Sequence, residues 1–255
     1  MNRIQEAIQA KGRKPLIGVA AYTYNPVFAE IAGHLGFDIL WIEMEHAHIA
    51  FAEAADLCRI GAGMGMLTMI RLPDAQRQNV LRAAECGADL LDLPMANSPQ
   101  VAAELVRHAR YQPEGQRGFF GASRGTRYGL FGHISEEQRR VNRDICLMAQ
   151  IETMEAVNRA EEICSVPGLD AIFIGMGDLS ASMGIAGQIK DPAVREATDR
   201  TIATAKAHGK LVGIPGAASD IADWTSKEVD MLFCASDISC MRGGLKDALK
   251  LVRGA

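Results

Sequence analysis

The amino-acid sequence predicts an α/β protein that folds as a single (β/α)₈ barrel, the TIM-barrel architecture, over residues 1–255. Three observations predict this fold. Short apolar runs alternate with amphipathic segments eight times along the chain. The runs are apolar almost throughout, as expected for parallel strands that are covered on both faces. The length of 255 residues is typical of one such barrel.

The eight apolar runs are the predicted strands, and right-handed connections between them would close the sheet into a barrel. The runs are Leu16–Ala21, Ile39–Glu43, Leu67–Arg71, Leu90–Leu93, Cys146–Ile151, Ala171–Gly175, Leu211–Ile214 and Met231–Ala235. An open, doubly wound sheet is the competing arrangement. Eight parallel strands in so short a chain favour closure, and no Gly-x-Gly-x-x-Gly fingerprint follows the first strand.

The segments between the strands show helical spacing of apolar residues. In Ala75–Cys86, the apolar residues Val80, Leu81 and Ala84 recur at helical intervals. Further helices are predicted at Gln100–Ala109, Met154–Cys164 and Ala193–His208. The longest predicted loop is Tyr111–Tyr128, which is rich in Gly and Arg. Long loops in compact domains are often functional.

The composition excludes several classes of function. The net charge of −4 argues against a nucleic-acid partner, which would require a basic face. No apolar run is long enough to cross a bilayer, and Met1–Lys14 is too polar for a signal peptide. We therefore expect a cytoplasmic protein without a membrane partner. The six cysteines form no Cys-x-x-Cys pair and are expected to be small, buried apolar residues.

Functional residues are expected at the carboxyl ends of the strands, because these ends form one mouth in a parallel barrel. Polar residues follow the second, third, fifth and sixth predicted strands. They are Glu43, Glu45, His46 and His48 after the second strand, Arg71 at the third, Gln150 and Glu152 at the fifth, and Asp178 after the sixth. This concentration of polar residues predicts an active site at the mouth.

The two carboxylates Glu152 and Asp178 predict a metal site. Either residue alone could cap a helix or a turn. The fifth and sixth strands are neighbours, however, so the two side chains are expected about 5 Å apart in the sheet direction. Two carboxylates at this spacing repel each other unless a cation lies between them. Oxygen ligands suit Mg²⁺ or Mn²⁺.

A histidine and an arginine are the remaining candidates for chemistry at the mouth. His46 and His48 both lie near glutamates, and a neighbouring carboxylate can orient an imidazole for proton transfer. The local sequence does not choose between the two histidines. Arg71 has two interpretations: a structural ion pair at the rim, or a donor to an anionic substrate or a developing oxyanion.

The positions of the lysines exclude one mechanism. None of the eight lysines lies at the carboxyl end of a predicted strand, and Lys210 precedes the seventh strand on the opposite rim. A barrel aldolase that works through a Schiff base needs a lysine at the mouth. An aldolase built on this chain would have to stabilise its enolate with a metal and an arginine instead.

Five motifs occur together in order along nearly the whole chain. They are Glu43-Met44-Glu45-His46, Arg71-Leu72-Pro73, Arg117-Gly118, Gln150-Ile151-Glu152 and the segment from Phe173 to Ser180. This combination resembles the HpcH/HpaI family, the class II, metal-dependent pyruvate aldolases that act on 4-hydroxy-2-oxo acids and 2-keto-3-deoxy sugar acids. Each motif is weak by itself, but the combination is specific.

The resemblance implies roles for the residues at the mouth. Glu152 and Asp178 match the metal ligands, with Mg²⁺ or Mn²⁺ expected and Co²⁺ as a further option. His46, rather than His48, matches the catalytic base. Arg71 matches the arginine that contacts the pyruvyl oxygen.

The resemblance also implies how the substrate is held. Gln150 matches a glutamine beside the metal. The backbone amides of Gly177 and Asp178 match those that bind the pyruvate carboxylate. Pro215, in the loop after the seventh strand, is expected to line the substrate pocket and to help select the aldehyde.

The chain departs from the family pattern at several positions. Glu43 stands three residues before the base, where relatives often carry Asp. Glu85 matches a second acid that a neighbouring subunit contributes, and it too is longer by one methylene. Met176 replaces a common Pro, and Phe119-Phe120 replace smaller residues. These departures affect the proton relay and the substrate pocket, while the metal site is kept.

The resemblance implies a carbon–carbon lyase that reversibly cleaves a 4-hydroxy-2-oxo acid to pyruvate and an aldehyde through a metal-bound enolate. It also implies a homo-oligomer, typically a hexamer, in which partners exchange the last helix. An oxaloacetate decarboxylase using the same site is the nearest alternative. Two others are a non-catalytic, metal-retaining binding subunit and a phosphate-handling isomerase with an anion nest at Gly213–Ser219.

Overall fold

The computed structural model describes residues 1–254, apart from the side chain of Ala218. Eight strands form a closed barrel in sequence order, and every neighbouring pair, including β8 with β1, is parallel. The strands are β1 Leu16–Ala21, β2 Ile39–Glu43, β3 Leu67–Arg71, β4 Leu90–Leu93, β5 Cys146–Ile151, β6 Ala171–Ile174, β7 Leu211–Pro215 and β8 Met231–Ser236. The predicted (β/α)₈ barrel is confirmed.

Twelve α-helices surround the barrel or cover its ends within the described residues. They are α1 Arg3–Ala10, α2 Pro26–Leu35, α3 Phe51–Gly63, α4 Arg77–Glu85, α5 Pro99–Ala109, α6 Ile134–Asp144, α7 Met154–Asn158, α8 Ala160–Cys164, α9 Met176–Ser182, α10 Pro192–Ala207, α11 Ile221–Ser226 and α12 Asp237–Arg253.

Three of the outer helices begin with the same local signal. Asn25, Ser98 and Asp191 each accept a hydrogen bond from a backbone N–H of the first turn, at 3.1, 3.3 and 2.8 Å. A proline follows each of them directly and supplies a helical φ without needing a hydrogen-bond partner. These caps fix where α2, α5 and α10 begin.

The predicted strand bounds are correct for β1 to β5 and differ by one residue in the other three. β6 ends at Ile174, because Gly175 already serves as the N-cap position of α9. β7 and β8 each continue for one further residue. The predicted helix Met154–Cys164 is wrong as a single element, since Arg159 leaves helical geometry and separates α7 from α8.

Side chains alternate between the inside of the barrel and the layer of helices. The inside is apolar from its amino-terminal end, where Ile4 and Ile8 of α1 cover the opening, up to an aromatic layer. That layer contains Trp41, Phe173 and Phe233, whose rings meet with centroids 5.1–5.7 Å apart. Above the aromatic layer the inward side chains become polar.

Four aspartates share one arrangement at the amino-terminal ends of the strands. Each directly precedes an even-numbered strand and accepts a hydrogen bond of 2.7–2.9 Å from a backbone N–H of the previous strand. Each also pairs with a lysine or an arginine. These rim aspartates are Asp38, Asp89, Asp170 and Asp230. The hydrogen bonds join adjacent strands at the end of the barrel that lies away from the mouth. The ion pairs link this end to residues on or at the ends of helices.

The last helix does not pack along the barrel. Asp237 anchors its first turn by accepting hydrogen bonds from the backbone N–H groups of Tyr22 and Thr23, at 3.0 and 2.8 Å. Beyond Asp237 the side chains of α12 are exposed, including an apolar stripe at helical spacing. The stripe consists of Ile238, Met241, Leu245, Leu249 and Val252. Large exposed apolar patches are typical of interaction surfaces.

Two further findings concern the predicted class of protein. No described helix has the length and apolarity that a membrane crossing requires. Four cysteines are buried as predicted, but Cys240 is exposed because it lies on α12. Cys234 is half-buried.

Candidate active site

The carboxyl end of β2 shapes the loop that carries the histidine. Glu43 is fully buried, and its Oε1 accepts hydrogen bonds from the backbone N–H groups of Glu45 and His46, at 2.7 and 3.0 Å. The carboxylate therefore folds the chain back over the end of the strand. It sets the position of His46 through the backbone.

Arg71 lies at the end of the neighbouring strand and is held by two carboxylates. Its Nε is 2.6 Å from Glu43 and its Nη1 is 3.3 Å from Glu45. The guanidinium also lies over the ring of Trp41, with 5.3 Å from its carbon to the ring centroid. Among residues 1–254 no ion pair or hydrogen bond involves Nη2, so this nitrogen is available to a substrate oxygen.

His46 and Glu45 form the exposed side of the site. The Nε2 of His46 lies 3.5 Å from the Glu45 carboxylate, and 58% of the His46 side chain is exposed. Burial raises the pKa of Glu45, although Arg71 and His46 act to lower it. His48 is exposed, and it forms no ion pair in the part of the chain that the structure describes. Of these two histidines, only His46 has a carboxylate partner among the described residues.

Glu152 does not cap the helix that follows it, α7. Thr153 caps α7, since its hydroxyl accepts a hydrogen bond from the backbone of Ala156 at 3.1 Å. Glu152 is buried, and its two oxygens accept from the backbone N–H of Met95 at 2.7 Å and from Nε2 of Gln150 at 2.5 Å. Burial raises the pKa of Glu152 to about 7, and Asp178 adds to the shift.

Asp178 lies in the first turn of α9 and is exposed to solvent. Gly175, not Asp178, occupies the N-cap position of α9. No side-chain hydrogen bond of Asp178 occurs within residues 1–254. The carboxylate is therefore free to bind a ligand in the mouth.

The residues around Glu152 fit a hard divalent cation. A Cβ at Gly175 would lie 2.6 Å from Oε2 of Glu152 and 2.9 Å from Nε2 of Gln150, so only glycine leaves this space open. Oε1 of Gln150 is buried without a hydrogen-bond partner among the described residues. Residues 1–254 contain no group of three or more His, Cys, Asp or Glu side chains arranged to hold a metal. Two carboxylates would leave further coordination positions to substrate and water, as is common for Mg²⁺.

The remaining predicted residues lie at different ends of the molecule. Gly177 is exposed in the first turn of α9, and Pro215 ends β7 in register with Phe233. Glu85 lies at the end of α4, beside the amino-terminal end of β4, and pairs with Arg117 at 2.9 Å. The structure therefore does not bring Glu85 to the mouth of its own barrel.

Three residues near the site were missed by the sequence analysis. Trp41 lies beneath the guanidinium of Arg71. Tyr22 follows β1, and burial raises the pKa of the Tyr22 phenol, to which the charge of Glu43 adds. Asp92 is fully buried inside the barrel on β4. A signal for Asp92 was present, since a charged residue interrupts the apolar run from Leu90 to Leu93.

Comparison with known proteins identifies the family. The profile of the HpcH/HpaI aldolase/citrate lyase family matches residues 18–233. The chain belongs to this family. A hydroxypyruvate/pyruvate aldolase of Sagittula stellata is 34% identical over 84% of this chain and 81% of its own length. A 4-hydroxy-2-oxovalerate aldolase of Rhodococcus jostii is 36% identical over 87% of this chain and 84% of its own length.

Solved structures agree with this assignment. The crystal structure of an HpcH/HpaI aldolase from Desulfitobacterium hafniense matches with a TM-score of 0.91 and 28% identity, over 98% of this chain and 96% of that one. The predicted family and the predicted enzyme class, an aldolase and therefore a carbon–carbon lyase, are confirmed. The decarboxylase, binding-subunit and isomerase alternatives are not favoured, because these relatives are named aldolases.

Proposed function

We propose that this aldolase uses a divalent metal to cleave a 4-hydroxy-2-oxo acid, such as a 2-keto-3-deoxy sugar acid, to pyruvate and an aldehyde. One observation carries the proposal: Glu152, Asp178, Arg71 and His46 converge at a barrel mouth that has no lysine at a strand end. Relatives support the substrate class. Besides the oxovalerate aldolase, a 2-keto-3-deoxy-L-rhamnonate aldolase of Escherichia coli is 32% identical over 81% of this chain.

Glu152 and Asp178 would hold the metal, Mg²⁺ or Mn²⁺ with Co²⁺ as a further option. The site carries more negative than positive charge, since Glu43 and Glu45 lie beside Arg71 while Glu152 lacks a cationic partner among the described residues. A divalent ion would balance this charge. When bound, it would supply Lewis acidity toward the oxygens of pyruvate.

Arg71 would stabilise the oxygen that gains charge when the carbon–carbon bond breaks. Glu43 and Glu45 engage Nε and Nη1, which leaves Nη2 for the substrate. A guanidinium already fixed in place does not need to reorganise during the reaction, and such preorganisation is a large part of electrostatic catalysis.

His46 would remove the proton from the 4-hydroxyl group as the bond between C3 and C4 breaks. Glu45, 3.5 Å from the imidazole, would stabilise the charge that His46 acquires. Because most of the His46 side chain is exposed, the proton can pass on to water. The backbone amides of Gly177 and Asp178 would hold the pyruvate carboxylate, with Gln150 beside them and Pro215 lining the aldehyde side.

We also propose a homo-oligomer, a hexamer, in which α12 crosses to a partner. The uncovered stripe on α12 supports this arrangement. A second exposed stripe on α2, made of Val27, Ile31 and Leu35, offers a matching surface. Glu85 would act at the mouth of a neighbouring subunit. Sedimentation of the protein truncated after Ser236 should give smaller particles than the full chain, whereas unchanged particles would contradict the exchange.

A screen of pyruvate against aldehydes, read by NMR of the products, tests the proposed reaction. Mg²⁺, Mn²⁺ and Co²⁺ would each be supplied to the metal-free protein. We expect 4-hydroxy-2-oxo acids to form with at least one metal. Failure of every aldehyde with every metal, while the protein remains folded, would contradict the proposal.

A further inference from the structure

Asp92 is a carboxyl group inside the barrel that the proposed reaction does not use. On β4, Leu90 packs inside the barrel, whereas Leu91 and Leu93 pack outward against the helices. Side chains alternate along a strand, so Asp92 points inward. In the sheet register its direct neighbours are Arg71 on β3 and Met148 on β5.

The register places Asp92 in the aromatic layer of the barrel interior. Layers of a (β/α)₈ barrel contain four side chains from alternate strands. Phe173 on β6 and Phe233 on β8 show how the layer advances around the barrel. Following the register from Phe173 across two strands, and then moving two residues toward the carboxyl end of β8, leads to Phe233. The same step from Trp41 on β2 leads to Asp92 on β4. Asp92 is thus the fourth member of a layer whose other three members are aromatic.

This layer lies directly beneath Arg71. The guanidinium lies over Trp41, and Asp92 is the neighbour of Trp41 in the aromatic layer. Arg71 is also paired in register with Asp92. Glu43 and Glu45 hold the guanidinium by its Nε and Nη1 atoms. Asp92 therefore faces the same guanidinium from inside the barrel.

No hydrogen bond from the described residues stabilises Asp92 there. The side chain is fully buried, and neither carboxyl oxygen has a hydrogen-bond partner among residues 1–254. Buried polar groups without partners are rare in native structures, and each one calls for an explanation. A leucine or a phenylalanine would fill this place in the layer more favourably.

The charged groups that act on Asp92 belong to the site above it. Arg71 attracts the carboxylate, while Glu152, Glu43 and Glu45 repel it. Burial raises the pKa of Asp92 well above its usual range, Arg71 opposes the shift, and the three glutamates add to it. Arg71 is the one cation among these groups, so any attraction that Asp92 exerts on the site acts on Arg71.

We infer that Asp92 is a positioning residue that keeps the Arg71 guanidinium over the ring of Trp41, with Nη2 directed at the substrate. The inference rests on the proposed function, because it assigns Arg71 to the reacting oxygen. In this arrangement Asp92 does not touch the substrate. It acts through Arg71, from the side of the guanidinium that faces the interior.

Two variants of Asp92 and one matched control test the inference. Asp92→Leu fills the aromatic layer with an apolar side chain, and Asp92→Asn keeps the shape of the side chain. Both should lower kcat for aldol cleavage about tenfold, within the range that coupling between neighbouring residues reaches, and leave KM nearly unchanged. Asp92→Leu should also raise the Tm. Asp89→Asn, at the other end of the same strand, should lower the Tm and leave kcat unchanged.

The dependence on Arg71 is measured by a double-mutant cycle. In an Arg71→Lys background the further change Asp92→Leu should alter kcat less than twofold, since the group that Asp92 positions is gone. A full additional loss would mean that Asp92 acts independently of Arg71. If the Asp92→Leu protein has a raised Tm and an unchanged kcat, Asp92 is only an unfavourable core residue and does not position Arg71.

A spectroscopic measurement separates this inference from the proposed function. The Nε–H resonance of Arg71, assigned with the Arg71→Lys variant, should shift in Asp92→Leu but stay in place in Asp89→Asn. If the wild type cleaves no hydroxy-oxo acid, the proposed function fails, yet this resonance still reports on the effect of Asp92 on Arg71. An unshifted resonance in Asp92→Leu would overturn the inference.

Discussion

Asp89 and Asp92 lie three residues apart at the two ends of one strand, and their surroundings are opposite. Asp89 accepts a hydrogen bond from the backbone N–H of Thr68 at 2.8 Å and pairs with Arg3. Asp92 has neither a hydrogen bond nor an ion pair among residues 1–254. Both side chains are buried. The same residue type therefore stabilises the barrel at one end and destabilises it at the other.

The contrast extends to the two ends of the barrel as a whole. Every rim aspartate at the amino-terminal end pairs with its own lysine or arginine and a backbone N–H. At the mouth, Arg71 is shared by Glu43 and Glu45, and Glu152 has no cation among the described residues. Among the described residues, the rim aspartates at the amino-terminal end are each paired with a cation of their own, whereas the carboxylates at the mouth are not. This pattern is expected when ligands complete a site.

The largest expected effect comes from removing a carboxylate that we assign to the metal. Glu152→Gln should abolish metal affinity and aldolase activity, because Asp178 alone cannot hold the ion. The variant should be at least as stable as the wild type without metal, since it removes a buried negative charge that lacks a cation. Calorimetric titration with Mn²⁺ and thermal unfolding check both parts. Normal Mn²⁺ affinity in this variant would remove Glu152 from the metal site.

The next effect concerns the base. His46→Ala should slow aldol cleavage by about 10²- to 10⁴-fold, the usual contribution of a general base. Decarboxylation of oxaloacetate should suffer much less, because that reaction has no hydroxyl proton to remove. His48→Ala is the matched control and should be nearly neutral. Equal losses in both reactions would mean that His46 positions the substrate or the metal.

Arg71→Lys separates an anchor from a donor to developing charge. Lysine keeps the charge but lacks the planar fork of donors. We expect kcat to fall about 10²- to 10³-fold for both cleavage and decarboxylation, as when one oxyanion donor is lost. Metal affinity should remain near that of the wild type. A raised KM with unchanged kcat would leave Arg71 as a substrate anchor only.

The smallest effect is expected at a well-paired carboxylate that lies away from both ends of the barrel. Hydrogen bonds from Arg140, assisted by Arg127, lower the pKa of Glu137 to about 2. This stabilisation is present above the unfolded value near 4.5 and is lost as the pH falls through 2. Glu137→Gln should lower the unfolding free energy at pH 7 by about 1.5–3 kcal/mol. Denaturant titrations should show the difference shrinking below pH 4; a constant difference would contradict the ion-pair origin.

The fold was predictable because its strands carry apolar residues on both faces. Leu90, Leu91 and Leu93 mark β4 whichever way they point, so the strand bounds follow from the sequence. The placement of Glu152 and Asp178 after neighbouring strands was also predictable, and their role as metal ligands stays a prediction. The prediction of one continuous helix from Met154 was wrong. The helical spacing of apolar residues continues across Arg159, while the helical conformation of the backbone is interrupted there.

What the sequence could not show depends on closure of the barrel. Trp41 and Asp92 lie on β2 and β4, and only the register around the closed sheet puts them in one layer beneath Arg71. The support that Glu43 gives to the loop of His46 likewise depends on the folded backbone. Glu85 was assigned by resemblance, and its distance from the mouth of its own barrel leaves that assignment dependent on a neighbouring subunit.

The central claim is that the mouth of this barrel cleaves hydroxy-oxo acids with a metal and without a Schiff base. The most direct measurement follows pyruvate release from a 4-hydroxy-2-oxo acid before and after chelation, and again after Mn²⁺ is added. We expect the chelator to abolish release and Mn²⁺ to restore it. Borohydride added with pyruvate should leave every lysine unmodified by mass spectrometry. Full activity in the chelator, together with a trapped adduct on a lysine, would contradict the account.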